Sequence, residues 1–229
     1  MSSPAAQAIL ASLAEVERER VRRAADPALA RCVHAVKRFQ QRRLADTYAD
    51  LAAMPRYRQA TRFFLDELYG PEDFSRRDAQ FARVVPGLKL FPEEVGRTIV
   101  ALGELHALSE RLDSQMGAAV GPQADSGELD AAAYGQAWRA VGQADERERQ
   151  IALLMQVGHA LDRHTRSRLL RASLHMMRAP ARAAGLDALQ HFLEAGFDAF
   201  GAMGGANDFL ALIGTRERKL AAQLFAGGG

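Results

Sequence analysis

One cysteine, three lysines, four isoleucines and five threonines are all that 229 residues hold of those types. Each scarcity excludes something. With Cys32 alone there is neither an internal disulfide nor a zinc site built on cysteine. Few β-branched residues beside abundant Ala, Leu, Arg, Glu and Gln leave little material for pleated surfaces, so the expected class is all-α. No uncharged apolar run approaches the length that crosses a bilayer. The opening MSSPAAQAIL also lacks the basic start and apolar stretch of a secretory signal, so a cytoplasmic protein without a membrane partner is expected. The net charge of +2 does not suit a strongly basic nucleic-acid binder, although the sequence pI is near 8.9. Only Lys37, Lys89 and Lys219 are lysines, and arginine supplies the other basic residues along the whole chain.

What is present reads as a helical bundle. Hydrophobic residues at 48% and charged residues at 25% are ordinary for a globular chain able to bury a core. Prolines punctuate long segments of helical period. Leu29, Val33, Val36, Leu44, Tyr48 and Leu51 form one stripe, and Tyr57, Thr61, Phe64, Leu65 and Leu68 another after Pro55. Val95, Ile99, Leu102, Leu105, Leu112 and Met116 form a third, with Pro92, Glu93 and Glu94 suiting its start. A fourth long helix is expected through Ile151, Leu154, Met155, Leu161, Leu169 and Met176, ending at Pro180. Ala206, Leu210, Ile213, Leu220 and Leu224 line a terminal one. Eight to nine helices follow, in a single domain over 1–229 that allows division into halves 1–116 and 129–229. The linker between them, 117–128, opens with GAAVGPQADS, after which Asp125 and Glu128 have capping-box spacing, as do Asp145 and Glu148.

The stretch FFLDELYGPEDFSRRD (63–78) reads as helix, corner, helix. Gly70 and Pro71 end one helix, and Ser75 with Asp78 has the spacing to cap the next. Arg76 and Arg77 then serve either as ion-pair partners of Asp73 and Asp78 or as an anion clamp at a helix start. This stretch, with HALSERLD (106–113) and APARAAGLDALQHFLEAGFDAF (179–200), resembles an uncharacterised family of helical proteobacterial proteins carrying an FFLxELYGPxDFSRRD motif. The resemblance spans the chain from about Tyr48 and implies no activity, cofactor or catalytic residue.

Candidate sites come from polar residues on apolar stripes. His106 and Asp113 share a line with Leu102 and Leu105, Asp162 lies between Gly158 and Thr165, and Glu217 between Ile213 and Leu220. If they face the core, each is either half of a structural ion pair or part of a ligand site. His106 is the first choice for a haem ligand. No histidine has an acid three residues before it, as a di-iron bundle requires, so no metal site is expected. The pairs His106 with Glu110, His159 with Asp162, and His191 between Asp187 and Glu194 have spacings at which helical side chains meet. His164, Arg168, Arg171, His175 and Arg178 give one helix a cationic face able to bind phosphate groups or nucleic acid, though no helix-turn-helix or interleaved aromatics accompany them.

No phosphate loop, nucleophile elbow or Cys/His pairing is present. The reading is an accessory or regulatory binding protein without catalysis, with no cofactor predicted and a protein or small molecule as partner. Its rivals are a cofactor- or metal-dependent enzyme using His106, Asp113, Asp162 and Glu217, and phosphate or nucleic-acid binding through 164–178. The helix of 186–200, apolar or small on nearly every face, belongs either at the centre of the bundle or in a homodimer interface.

Overall fold

The computed structural model describes residues 4–68, 74–90, 92–121 and 128–227, and among them there is no strand. In order come α1 (Pro4–Ala25), α2 (Pro27–Thr47), α3 (Ala49–Ala53), α4 (Arg58–Phe63), α5 (Ser75–Val84) and α6 (Glu93–Val120). Then follow α7 (Ala131–Val141), α8 (Ala144–Thr165), α9 (Arg168–Met176), α10 (Arg178–Ala183), α11 (Asp187–Ala202) and α12 (Asn207–Ala226). A π-helical turn, Phe64–Leu68, extends α4, and a 3-10 turn, Val85–Leu90, follows α5. The all-α class holds, but the helices outnumber the expected eight to nine.

The surplus comes mainly from one segment. The long helix expected through Met176 to Pro180 stops at Thr165, where Ser167 turns extended and its Oγ accepts the Leu170 N–H to start α9. Leu169 and Met176, assigned to its apolar stripe, are 75% and 70% exposed. Pro180 does not end a helix either. It sits in the first turn of α10, where a missing N–H costs nothing.

Capping also departs from the spacing rules. Asp130 caps α7 by accepting the Ala133 N–H, and Asp125 lies outside the described residues. Gln143, in the left-handed region at φ 62°, precedes α8, so Asp145 and Glu148 form no box there. Helix α5 begins at Ser75 after Phe74, which makes no side-chain cap, and the Asp78 carboxylate turns inward. The Gly70-Pro71 corner lies outside the described residues.

The spine is α6, packed chiefly on α1, α2, α8 and α7. It runs four residues into the expected linker, and Gly117 shows why α2 can cross it closely. A Cβ there would lie 2.5 Å from Val33 Cγ2 and 3.0 Å from the Val33 backbone nitrogen. Gly158 of α8 likewise leaves room for Leu210 of α12. The largest core cluster joins Leu44 and Phe64 to Leu105, Leu153, Phe200 and Phe209, taking side chains from both sides of 117–128. Helix α11 packs against α8, α4 and α5, with Leu189, Phe192, Gly196, Ala199 and Phe200 buried. No helix among the described residues is long and apolar enough to cross a membrane.

Candidate functional site

A belt of polar side chains runs through the bundle along one face of α6. His106, Glu110, Asp113 and Ser114 recur at the three- and four-residue steps that share a helix face. They meet residues from α1, α2 and α5, and through Gln40 the belt reaches Tyr134 of α7. At one end His106 Nε2 lies 2.8 Å from Asp78 Oδ2, which also accepts from Arg20 Nη2 at 2.5 Å. Burial pushes the Asp78 carboxyl up, but His106, Arg20 and Arg77 outweigh it and hold it below its ordinary value.

One turn further, Glu110 accepts from Arg23 at 2.5 Å and from Lys37 at 2.6 Å, while Arg23 also donates to Ser114 Oγ at 2.9 Å. Burial opposes the charge, yet the two cations hold Glu110 at about 2. Asp113 differs. Its Oδ1 accepts from Gln40 at 3.1 Å and Lys37 stands 4.0 Å away, too little to offset burial, so its carboxyl is raised. Gln40 continues to the Tyr134 hydroxyl at 3.4 Å, whose pKa burial also raises. The Tyr134 ring stacks on Phe39, with centroids 4.4 Å apart.

Glu217 occupies a separate cluster on α12. Arg43 donates to both its oxygens at 3.2 Å, and the Tyr48 hydroxyl donates to Oε1 at 2.6 Å. Burial alone would lower the Arg43 pKa, and the Glu217 carboxylate raises it instead. A cavity of about 20 Å³ adjoins this cluster, lined by Tyr48, Thr61, Phe64, Phe209, Ile213 and Glu217 among others. That is room for about one water molecule, not a cofactor.

Asp162 is a structural fastener. Its Oδ1 accepts the Ala206 N–H at 3.0 Å, just ahead of α12, and Oδ2 accepts from Arg166 at 2.6 Å. The four candidate residues therefore do not share one site: His106 and Asp113 share the belt, while Asp162 and Glu217 lie apart from it. Of the expected pairs, Glu110 turns to Arg23 and Lys37 rather than to His106, and His159 is exposed while Asp162 is buried. His191 Nε2 is 3.8 Å from Glu67, leaving Asp187 to Arg76 and Glu194 to Arg178.

Neither arginine of the corner is an open anion clamp. Arg76 donates to both oxygens of Asp187, and the Arg77 guanidinium lies between the Phe74 and Phe192 rings, 4.1 and 4.5 Å from their centroids. The cationic face is also shorter than expected. His164 belongs to α8 and meets Thr98 Oγ1 at 3.0 Å, while His175 and Arg178 approach Glu194 at 3.9 and 2.5 Å. Arg168 and Arg171 have no acidic partner among the described residues.

Sequence reading missed the basic half of the belt. Arg20 and Arg23 follow buried Val16 at helical steps, and Lys37 follows buried Val33, so the signal was cations on an otherwise apolar line. Among the described residues no three His, Cys, Asp or Glu side chains converge closely enough to hold a metal ion. No curated protein and no solved structure matches the chain. A family model matches residues 19–228, reaching further towards the N-terminus than Tyr48, and the chain therefore belongs to the family described as a domain of unknown function, DUF8198.

Proposed function

We propose that this is a non-catalytic accessory or regulatory protein that works by binding a macromolecular partner. The observation that supports it most is how four of the buried and half-buried carboxylates are used. Asp78, Glu110, Asp162 and Glu217 are each held by at least one cation and a second hydrogen bond or cation. Groups so engaged are costly to release for chemistry, and the cavity beside Glu217 is too small for a substrate. The reading is tested by metal analysis and the absorption spectrum of the purified protein. It predicts no stoichiometric metal and no band beyond the aromatic ultraviolet; either one would overturn it.

One observation favours the enzyme reading. Asp113 is a buried carboxyl with a raised pKa beside Lys37, Gln40 and Tyr134, the kind of setting that serves proton transfer. Against it stands the enclosure of the group, since Asp113 and Tyr134 are 8% and 2% exposed.

A further inference from the structure

The solvent face of α9 is built the wrong way round for a surface helix. Helix α9 packs on α8 and α11, with half-buried Leu170 and Leu174 on its inner side and Gln190 of α11 donating to the Leu174 carbonyl at 2.7 Å. Leu169, Ala172 and Met176, at steps of three and four, all point away from that contact and are exposed. Met177, 51% exposed, follows at the junction with α10. An apolar stripe facing water in this way marks a surface meant to be covered.

Its electrostatics say by what. From Arg163 to Leu186 the chain has no Asp or Glu, and it carries Arg163, Arg166, Arg168, Arg171, Arg178 and Arg182. Only Arg166 and Arg178 are neutralised by carboxylates, those of Asp162 and Glu194. Arg163, Arg168, Arg171 and Arg182 have no acidic partner among the described residues, which leaves four guanidinium groups within one acid-free stretch of chain. Methionine and arginine, the chief residues this stretch exposes, are both enriched at protein–protein interfaces, and lysine and acids, which it lacks, are depleted there. Its apolar part is Leu and Met with no aromatic residue between Arg163 and Leu186, which does not suit a bilayer anchor.

Resting on the binding reading above, we propose that the exposed faces of α9 and α10 dock an acidic amphipathic helix of a partner protein. Leu169 and Met176 would enter between the partner's apolar residues, and the exposed Arg163, Arg168 and Arg182 would meet its carboxylates, whereas the Arg171 guanidinium lies against Gly201 of α11. The test is fluorescence anisotropy with a labelled designed helical peptide carrying a leucine stripe flanked by glutamates. The expected result is saturable binding that weakens as salt rises. Leu169→Ser with Met176→Ser should weaken it by at least about tenfold, and Arg168→Gln with Arg182→Gln should reduce its salt dependence. These residues are exposed, so circular dichroism should show every variant folded.

Peptide binding unchanged by both pairs of substitutions would overturn the proposal. So would binding to phosphatidylglycerol vesicles without binding to the peptide, which would make the occupant a membrane. A light-scattering mass of two chains that falls to one on Leu169→Ser would assign the face to a second copy and also contradict it. No peptide binding in a metal-free, colourless protein defeats this docking face alone, whereas bound metal defeats the reading beneath it whatever the peptide does.

Discussion

His106 of α6 and Asp78 of α5 meet at 2.8 Å, and Arg20 of α1 reaches the same carboxylate oxygen. Removing that carboxylate leaves Arg20 and the 13% exposed Arg77 beside one another without it. Asp78→Ala should therefore destabilise the protein by about 2–3 kcal/mol, less than for a fully buried pair because Arg20 retains some solvent. The urea midpoint at neutral pH measures this, and an unchanged midpoint would show that the contact contributes nothing.

Acid sensitivity should pass through Glu110. Its folded pKa of about 2 lies below its ordinary 4.5, so the charged form contributes stability above pH 4.5 that is lost as pH falls towards 2. The sign follows because the unfolded chain binds the proton first. Glu110→Gln should cost on the order of 3 kcal/mol at pH 7 and flatten the stability profile between those values. Asp113 acts in the opposite sense: burial raises its carboxyl, so its contribution is complete below its ordinary value of 3.8 and is lost as pH rises above that value. Urea titrations at a series of pH values separate the two.

Gly117→Ala tests the α2–α6 crossing. The added methyl would meet Val33 backbone atoms as well as a side chain, so the helices must move apart at a cost of about 1–3 kcal/mol. A thermal midpoint equal to the parent's would mean that α2 shifts freely.

Asp162→Ala removes the acceptor of the buried Ala206 N–H and should cost about 1–3 kcal/mol. Asp162→Asn keeps an acceptor oxygen and should cost less. Amide exchange at Ala206 reports the effect directly: it should be faster in the alanine variant and close to the parent's in the asparagine variant.

Much of the fold was legible because burial follows the helical period. Leu29, Val33, Val36, Leu44, Tyr48 and Leu51 are all buried where their spacing puts them. The break at Thr165 was not legible, since neither Gly nor Pro stands there and its one local signal, Ser167, is a good N-cap that also occurs within helices. Asp78 misled for a related reason: Ser-x-x-Asp spacing signals a cap, and only the tertiary contact with His106 and Arg20 turns the carboxylate inward. For the candidate site, periodicity placed His106, Asp113 and Asp162 on inward-facing positions, but partners such as Arg23, Lys37 and Gln40 are distant in sequence. Local spacing carries no information about them.

The buried and half-buried polar residues fasten the bundle rather than await a substrate. Groups kept for catalysis often destabilise a fold, so replacing them tends to be neutral or stabilising. The Glu217–Tyr48 contact at 2.6 Å offers the cleanest trial. Urea unfolding of Glu217→Gln, Tyr48→Phe and the double variant should show each single change lowering stability, with a coupling of about 1–3 kcal/mol between them. Single variants as stable as the parent or more stable, with no coupling, would contradict the claim.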